Sequence, residues 1–112
     1  MTIESLKEFG ADTETGLNRC LGNTDFYLSL VKMALDDQSF SNLAAAIATN
    51  NLDSAFEFAH ALKGVYGNVA LTPVYEPICE LTEHLRNKEN VDDYNMYINR
   101  ISSKLNELKQ QL

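Results

Sequence analysis

The sequence predicts an all-α protein, an antiparallel four-helix bundle with one or two short helices before it. Apolar residues recur at helical spacing in successive segments of the chain. Short stretches rich in Asn, Asp and Gly separate these segments, as is typical of turns between helices. No alternating apolar run and no hairpin turn indicates a strand. The length of 112 residues, without a low-complexity linker, favours a single domain over residues 1–112.

The first two predicted helices are short. Their apolar residues at helical spacing are Ile3, Leu6 and Phe9 in the first helix, and Leu17 and Cys20 in the second. Gly10 is expected to end the first helix, because glycine readily adopts the left-handed conformation common after a helix. Asp12 is expected to cap the second helix, which stops near Gly22.

Two further helices are predicted between residues 23 and 50. Their apolar residues are Phe26, Tyr27, Leu30, Val31, Ala34 and Leu35 in the first, and Phe40, Leu43, Ala44 and Ile47 in the second. Asn23 or Thr24 is expected to cap the first of these helices, and Ser39 the second, because their side chains can accept hydrogen bonds from the first helical turn. Asn50 lies in the turn that ends the pair.

The next predicted helix contains two glycines. Its apolar residues, which lie on one side of a helical wheel, are Leu52, Ala55, Ala59, Leu62, Tyr66 and Val69. Asn51 or Asp53 is expected to cap it. Each glycine inside a helix costs about 1 kcal/mol relative to alanine. We therefore expect the missing side chains of Gly64 and Gly67 to serve a purpose.

The last two helices are predicted from residue 72 onward. Thr72 followed by Pro73 suggests a cap and a proline at the first helical position. Pro77 would then lie inside the helix and remove a hydrogen bond, so the helix either starts near Pro77 or has a distorted first turn. Asn90 is expected to cap the final helix. The apolar stripes of these two helices are Ile78, Leu81 and Leu85, and then Tyr94, Ile98, Ile101, Leu105 and Leu108.

His60 lies on the flank of the glycine-containing helix, away from the middle of its apolar face. Phe56 precedes it by one turn, Lys63 and Gly64 follow at i+3 and i+4, and Gly67 follows at i+7. Residues three and four apart are neighbours on a helix surface. The imidazole is therefore expected to be exposed, beside an ammonium group and above a bare patch of backbone that a partner could approach closely.

The residues around His60 resemble the signature of histidine-containing phosphotransfer (HPt) domains. Residues 60–64 read HALKG, which fits the family pattern H-x-L-K-G, and both Ala59 before it and Asn68 after it also fit. Residues 16–27 resemble the N-terminal part of many HPt domains, so the resemblance covers most of the chain. Ala70 departs from the pattern, because the family often has Gly at this position.

The resemblance implies the same helical bundle and a role in a two-component phosphorelay. His60 would accept a phosphoryl group from the aspartate of a receiver domain, or donate one to it. Lys63 could neutralise the oxygens of the transferring group. The residues expected to lie where the partner approaches are Phe56, Gly64, Gly67 and Asn68. The partner would be the receiver domain of a response regulator or hybrid histidine kinase.

The chain lacks the sequence motifs of a kinase. It has no phosphate-binding glycine-rich loop followed by Lys-Ser/Thr, and no kinase catalytic set. It also lacks the acidic cluster with which a receiver binds Mg²⁺, so the partner is expected to supply the metal. The sequence therefore predicts a phosphoryl carrier that has no cofactor and no kinase activity of its own.

Composition excludes several other classes of protein. The formal net charge of −7 argues against binding to nucleic acid or to an anionic membrane surface. No apolar run approaches the length of a membrane span, and the N-terminus does not read as a secretory signal. Cys20 and Cys79 lack metal-ligand spacing and are expected to be small apolar residues of a cytoplasmic protein with reduced thiols. A monomer is the default expectation.

Two alternative functions remain open on the sequence. Glu57 and His60 form a Glu-x-x-His pair of the kind found in di-iron helical bundles, which need that pair twice. His84 is the other histidine, but Leu81 stands where its glutamate would be, so a metal site is disfavoured. The second alternative is a helical protein–protein interaction module that has lost phosphotransfer.

Overall fold

The computed structural model describes residues 1–87 and 94–112, and these residues form α-helices without β-strands. The helices are α1 (Ile3–Phe9), α2 (Thr13–Arg19), α3 (Thr24–Asp36), α4 (Ser39–Ala48), α5 (Leu52–Asn68), α6 (Thr72–Arg86) and α7 (Asn95–Lys109). The predicted all-α fold is confirmed. Asn90, the expected cap of the final helix, lies outside the described residues. In the described part of the chain, no helix is long and apolar enough to cross a membrane.

Helices that follow each other in the chain pack side by side. α5 packs against both α4 and α6, and α6 packs against α7. Only residues 49–51 connect α4 to α5, and only residues 69–71 connect α5 to α6. Connections this short reverse the direction of the chain between neighbouring helices. The arrangement is the antiparallel helical bundle that the sequence predicts, and it places the helix that carries His60 in the centre.

The apolar face predicted for α5 forms part of the core. The buried residues of this face are Ala55, Ala59, Leu62, Tyr66 and Val69, and each is at most 4% exposed. Leu52, at the start of the helix, is half-buried. Burial of this face fixes the rotation of α5 about its own axis, and so determines which residues point to solvent.

Two buried tyrosines tie α3 to the end of α5. The hydroxyl of Tyr27 donates a hydrogen bond of 2.8 Å to the carbonyl oxygen of Val69. The hydroxyl of Tyr66 donates one of 3.0 Å to the carbonyl oxygen of Ala34. Burial raises the pKa of Tyr66 to about 12, and it also raises the pKa of Tyr27. Both hydroxyls therefore remain protonated donors near neutral pH.

Three of the predicted helix caps are confirmed. Asp12, Asn23 and Asn51 each accept a hydrogen bond from a backbone N–H in the first turn of the helix that follows. Gly10 ends α1 in the left-handed conformation, at φ 107°. The side chains of Asp12, Asn23 and Asn51 thus satisfy N–H groups that have no partner within the helix.

The predicted cap of α4 is wrong. Ser39 is the first helical residue, and the cap position belongs to Gln38, which makes no capping hydrogen bond. The backbone of Gln38 is already helical, with φ −85° and ψ −4°. The carboxylate of Asp37 accepts the hydrogen bond from the Ser39 N–H at 2.7 Å. Asp37, and not Ser39, therefore accepts a backbone hydrogen bond at the start of α4.

The predicted cap of α6 is also wrong. Leu71 occupies the cap position, and Thr72 is the first helical residue. The fully buried side chain of Leu71 determines where the chain turns. Pro73 lies in the first turn, where a missing N–H removes no hydrogen bond. Of the two starts that the sequence left open, the structure has the earlier one, and Pro77 lies inside the helix.

Ala70, where the HPt pattern often has Gly, lies in the turn that ends α5. The N–H of Ala70 donates to the carbonyl of Gly67, and the N–H of Leu71 donates to that of Tyr66, both at 3.2 Å. This pair of bonds is a Schellman motif, whose residue after the cap is left-handed and is usually glycine. Ala70 occupies that position with φ 58°. The same turn therefore forms here with a methyl group present.

We expect Gly16→Ala to destabilise the fold. A methyl group at Gly16 would collide with the ring of Tyr27, which is buried and whose hydroxyl is bonded to Val69. Overpacking of this kind costs about 1–3 kcal/mol. Gly64→Ala is the matched control, because a methyl group there meets no atom within 4 Å. It should raise the free energy of unfolding in urea by up to about 1 kcal/mol. Equal stability of the two variants would contradict the prediction.

Candidate functional site

His60, the ninth residue of α5, is exposed on a flank of the helix outside its buried face. Its neighbour one turn earlier is Phe56, whose ring centroid lies 5.9 Å from the imidazole centroid, with an angle of 26° between the planes. The helical spacing predicts this placement. The imidazole therefore faces solvent on one side and an aromatic ring on another.

His60 borders a cleft of about 600 Å³ that is open to solvent. Residues from α2 and its cap, from α5 and from the start of α6 line the cleft: Asp12, Thr15, Arg19, His60, Lys63, Gly64, Gly67, Asn68, Ala70, Thr72 and Tyr75. Five of these residues belong to α5, which forms the floor. Of the six residues that the sequence singled out, the cleft brings five together, and Phe56 lies beside it.

Two cationic side chains line the cleft with His60. Lys63 is half-buried and lies one helical turn along α5. Arg19 reaches across from α2, and its Nη1 donates hydrogen bonds to the carbonyl oxygens of Gly67 at 2.6 Å and Asn68 at 3.0 Å. Both cations favour the binding of an anionic group in the cleft.

Asp12 is an anionic residue at the other end of α2. Its carboxylate accepts a hydrogen bond from the hydroxyl of Thr15 at 2.7 Å and another from the Thr15 N–H at 3.1 Å. These bonds, that of the hydroxyl first, lower the pKa of Asp12. Asp12 is therefore ionised near neutral pH, and its charge is committed to capping α2.

The two glycines of α5 have different surroundings. A methyl group at Gly64 would meet no atom within 4 Å, so the backbone there is bare, as the sequence predicts. A methyl group at Gly67 would lie 2.9 Å from Cε2 of Tyr75. Gly67 therefore makes room for the ring of Tyr75 on α6. The missing side chain of this interior glycine serves the packing of two helices. Its role in partner approach stays a prediction.

Asn68 contributes its backbone to the site. Its carbonyl oxygen accepts the hydrogen bond from Arg19, and the residue itself is exposed at the C-terminal end of α5. The sequence left the role of Arg19 unassigned. Residues 16–27, which include Arg19, did show the family resemblance, but nothing in their spacing places them against α5. The contact joins residues 48 and 49 positions apart.

Tyr75 is another lining residue that the sequence did not single out. A hydrogen bond with the thiol of Cys79, one turn along α6, raises the pKa of Tyr75. Cys20, by contrast, is buried in the core as expected of a small apolar residue. No sequence signal marks Tyr75, because its place in the cleft depends on how α6 packs over Gly67.

The residues considered for a metal site do not form a group of metal ligands in the described part of the chain. His84 is half-buried, and its Nε2 is hydrogen-bonded to the hydroxyl of Tyr97 at 2.9 Å. Leu81, which replaces the glutamate of the second pair, is fully buried. Within residues 1–87 and 94–112, no three His, Cys, Asp or Glu side chains come together as a metal site requires.

The sequence matches no protein-family model. No curated protein and no solved structure matches it significantly. The resemblance to HPt domains therefore rests on the residues of the chain itself.

A double-mutant cycle tests the packing role of Gly67. We expect Gly67→Ala to be less stabilising than Gly64→Ala, because the new methyl group collides with the ring of Tyr75. In a Tyr75→Ala background, the same change should gain the full helix propensity of alanine, up to about 1 kcal/mol. Urea unfolding of the four proteins gives the coupling energy, expected at about 1 kcal/mol. Strict additivity would show that Gly67 does not accommodate Tyr75.

Proposed function

We propose that this domain relays phosphoryl groups between His60 and the aspartate of a receiver domain in a two-component phosphorelay. The observation that carries the proposal is the setting of His60: an exposed imidazole at the rim of a cleft, one turn from Lys63 and above the bare backbone at Gly64. The receiver would belong to a response regulator or a hybrid histidine kinase. The domain would act as a monomer in the cytoplasm.

The chemistry needs a nucleophilic nitrogen aligned with phosphorus. A neutral imidazole nitrogen of His60 attacks the phosphorus of the aspartyl phosphate and forms an N–P bond. The P–O bond to the aspartate breaks, the carboxylate leaves with the electron pair, and the imidazole ring loses its N–H proton to solvent. Transfer in the opposite direction reverses these steps. In-line displacement of this kind depends mainly on positioning and on stabilisation of charge.

Lys63 is the residue placed to stabilise that charge. Its position at i+3 puts the ammonium group on the same side of α5 as the imidazole. There it can approach the oxygens of the phosphoryl group as negative charge is redistributed. The receiver would contribute the aspartate together with its Mg²⁺. This division of roles makes the domain a carrier of phosphoryl groups and not a kinase.

An apolar stripe on α3 would complete the docking surface. Phe26, half-buried Leu30 and Met33 follow one another at helical spacing, and Phe26 and Met33 are 50% and 66% exposed. A shallow depression joins Leu30 and Met33 to Val65 and Asn68 of α5, the latter at the edge of the cleft. Exposed apolar side chains beside a polar reaction site provide contact area for a partner.

The same stripe favours a second candidate function. A helical interaction module without phosphotransfer would use Phe26 and Met33 as anchors in a partner's groove. Such a module does not need an imidazole at position 60. The two functions therefore differ in what happens when His60 is replaced.

We expect phosphotransfer to depend on His60 and to be slowed without Lys63. A phosphorylated, radiolabelled receiver domain should transfer acid-labile label to the wild-type chain and none to His60→Gln, which lacks the nucleophile. Lys63→Ala should still gain the label, but about 10- to 100-fold more slowly, because one charge-stabilising contact is lost. Circular dichroism of each variant controls for folding. Labelling of His60→Gln would show that His60 is not the acceptor. If the wild-type chain binds a partner but is not labelled, the interaction module is favoured.

A bulky side chain at position 64 should block transfer without unfolding the bundle. Gly64→Arg places a long side chain over the backbone that the partner approaches, one turn from His60. We expect transfer from the receiver to fall about 100-fold, as an ångström-scale misplacement of the reacting groups does. Gly64→Ala is the control, since its methyl group meets nothing. Normal transfer in Gly64→Arg would refute close approach at this position.

A further inference from the structure

We propose that Phe56 is a positioning residue, which holds the His60 imidazole in the orientation from which its nitrogen reaches phosphorus. The inference rests on the proposed function and adds to it a residue that takes no part in bond formation. From the sequence, Phe56 is expected to lie where the partner approaches. The geometry gives it a contact with the nucleophile itself.

The two rings stack along one side of α5. Phe56 precedes His60 by four residues, which makes the side chains neighbours on the helix. Their centroids lie 5.9 Å apart, and their planes are inclined by 26°, which is an offset stacked arrangement. A stacked neighbour restricts rotation of the imidazole about the bond that joins it to its Cβ. That rotation is otherwise broad for a histidine side chain.

Phe56 is itself held from two sides. Its ring is half-buried and packs against the core. On α6, the guanidinium carbon of Arg86 lies 5.7 Å from the centroid of the Phe56 ring, in cation–π contact. Arg86 is in turn paired with Glu83, with 3.5 Å between Nε and Oε1. The orientation of an exposed imidazole on α5 is thereby linked to a second helix of the bundle.

Restricting the ring serves the reaction because attack must be in line. A freely rotating imidazole spends only part of its time with a nitrogen directed at the incoming phosphorus, and fixing it during the reaction costs conformational entropy. Because the stack forms when the chain folds, this entropy is lost during folding and not during the reaction. Its loss should therefore slow transfer while leaving the attraction of the phosphodonor to the site unchanged.

The test uses a small phosphodonor, so that it does not depend on finding the receiver. With phosphoramidate, the imidazole nitrogen forms an N–P bond, the P–N bond of the donor breaks, and the leaving ammonia takes up the proton that the ring releases. We expect Phe56→Leu to lower the maximal rate of labelling of the full chain about 3- to 10-fold, with little change in the donor concentration at half-maximal rate. Phe56→Tyr keeps the ring and should restore the rate to within about twofold.

Phe58→Leu is the matched control. Phe58 is also half-buried, lies on the same helix and packs against the core, so the same substitution removes a similar packing contact. It should leave the rate of labelling within about twofold of the wild type. If Phe56→Leu and Phe58→Leu slow labelling equally, the effect is one of general stability, and the positioning role of Phe56 is overturned.

Proton NMR of the His60 ring separates positioning from reactivity. Phe56→Leu removes the ring current of its neighbour and should shift the imidazole Cε1–H and Cδ2–H resonances, whereas Phe58→Leu should not. Unchanged resonances in Phe56→Leu would overturn the proposal, whatever the rates. If phosphoramidate labels the wild type but no receiver does, only the relay is overturned. The relative labelling rates of the variants would still decide the role of Phe56. A wild type that is labelled neither by phosphoramidate nor by any receiver would overturn both.

Discussion

The C-terminal end of α5 is held by donors from the N-terminal part of the chain, and the candidate site depends on this contact. A helix leaves its last carbonyl groups without partners inside the helix. Besides the turn that follows α5, donors from residues 12–27 reach the carbonyls at this end and in that turn: Arg19 to Gly67 and Asn68, the Tyr27 hydroxyl to Val69, and the Asp12 N–H to Ala70. These bonds bring α2 alongside the helix that carries His60. Without them the cleft would lose the wall that α2 provides.

The same helix is a core element on one face and carries the proposed reaction site on its exposed flank. Small residues on the buried face, Ala55 and Ala59, are fully covered, which lets the neighbouring helices approach α5 closely. A helix packed on one face cannot rotate, so His60 on its flank is presented at a fixed place. Exposure of the proposed nucleophile and rigidity of its support therefore follow from one division of the helix into two sides.

Which features of the fold and the site could be predicted depended on how far apart in the sequence the interacting residues lie. Local patterns identified the helices and the caps Asp12, Asn23 and Asn51, because capping involves residues three apart. The cap at Thr72 failed because burial of Leu71, a tertiary effect, decided where α6 starts. His60 and Lys63 came from one local motif, whereas Arg19 joins the site from another helix, and sequence spacing carries no information about such a contact.

The charges that line the cleft make the proposed transfer of an anionic group compatible with the acidic composition of the chain. The chain has a formal net charge of −7, yet Lys63 and Arg19 line the cleft against one carboxylate, that of Asp12. Salt screens exposed charges beyond about 8 Å under physiological conditions, so the distant acidic residues contribute little there. The field at the proposed site is therefore set by the side chains that line it. Because Arg19 is held by the end of α5, the docking that builds the cleft also places its second positive charge.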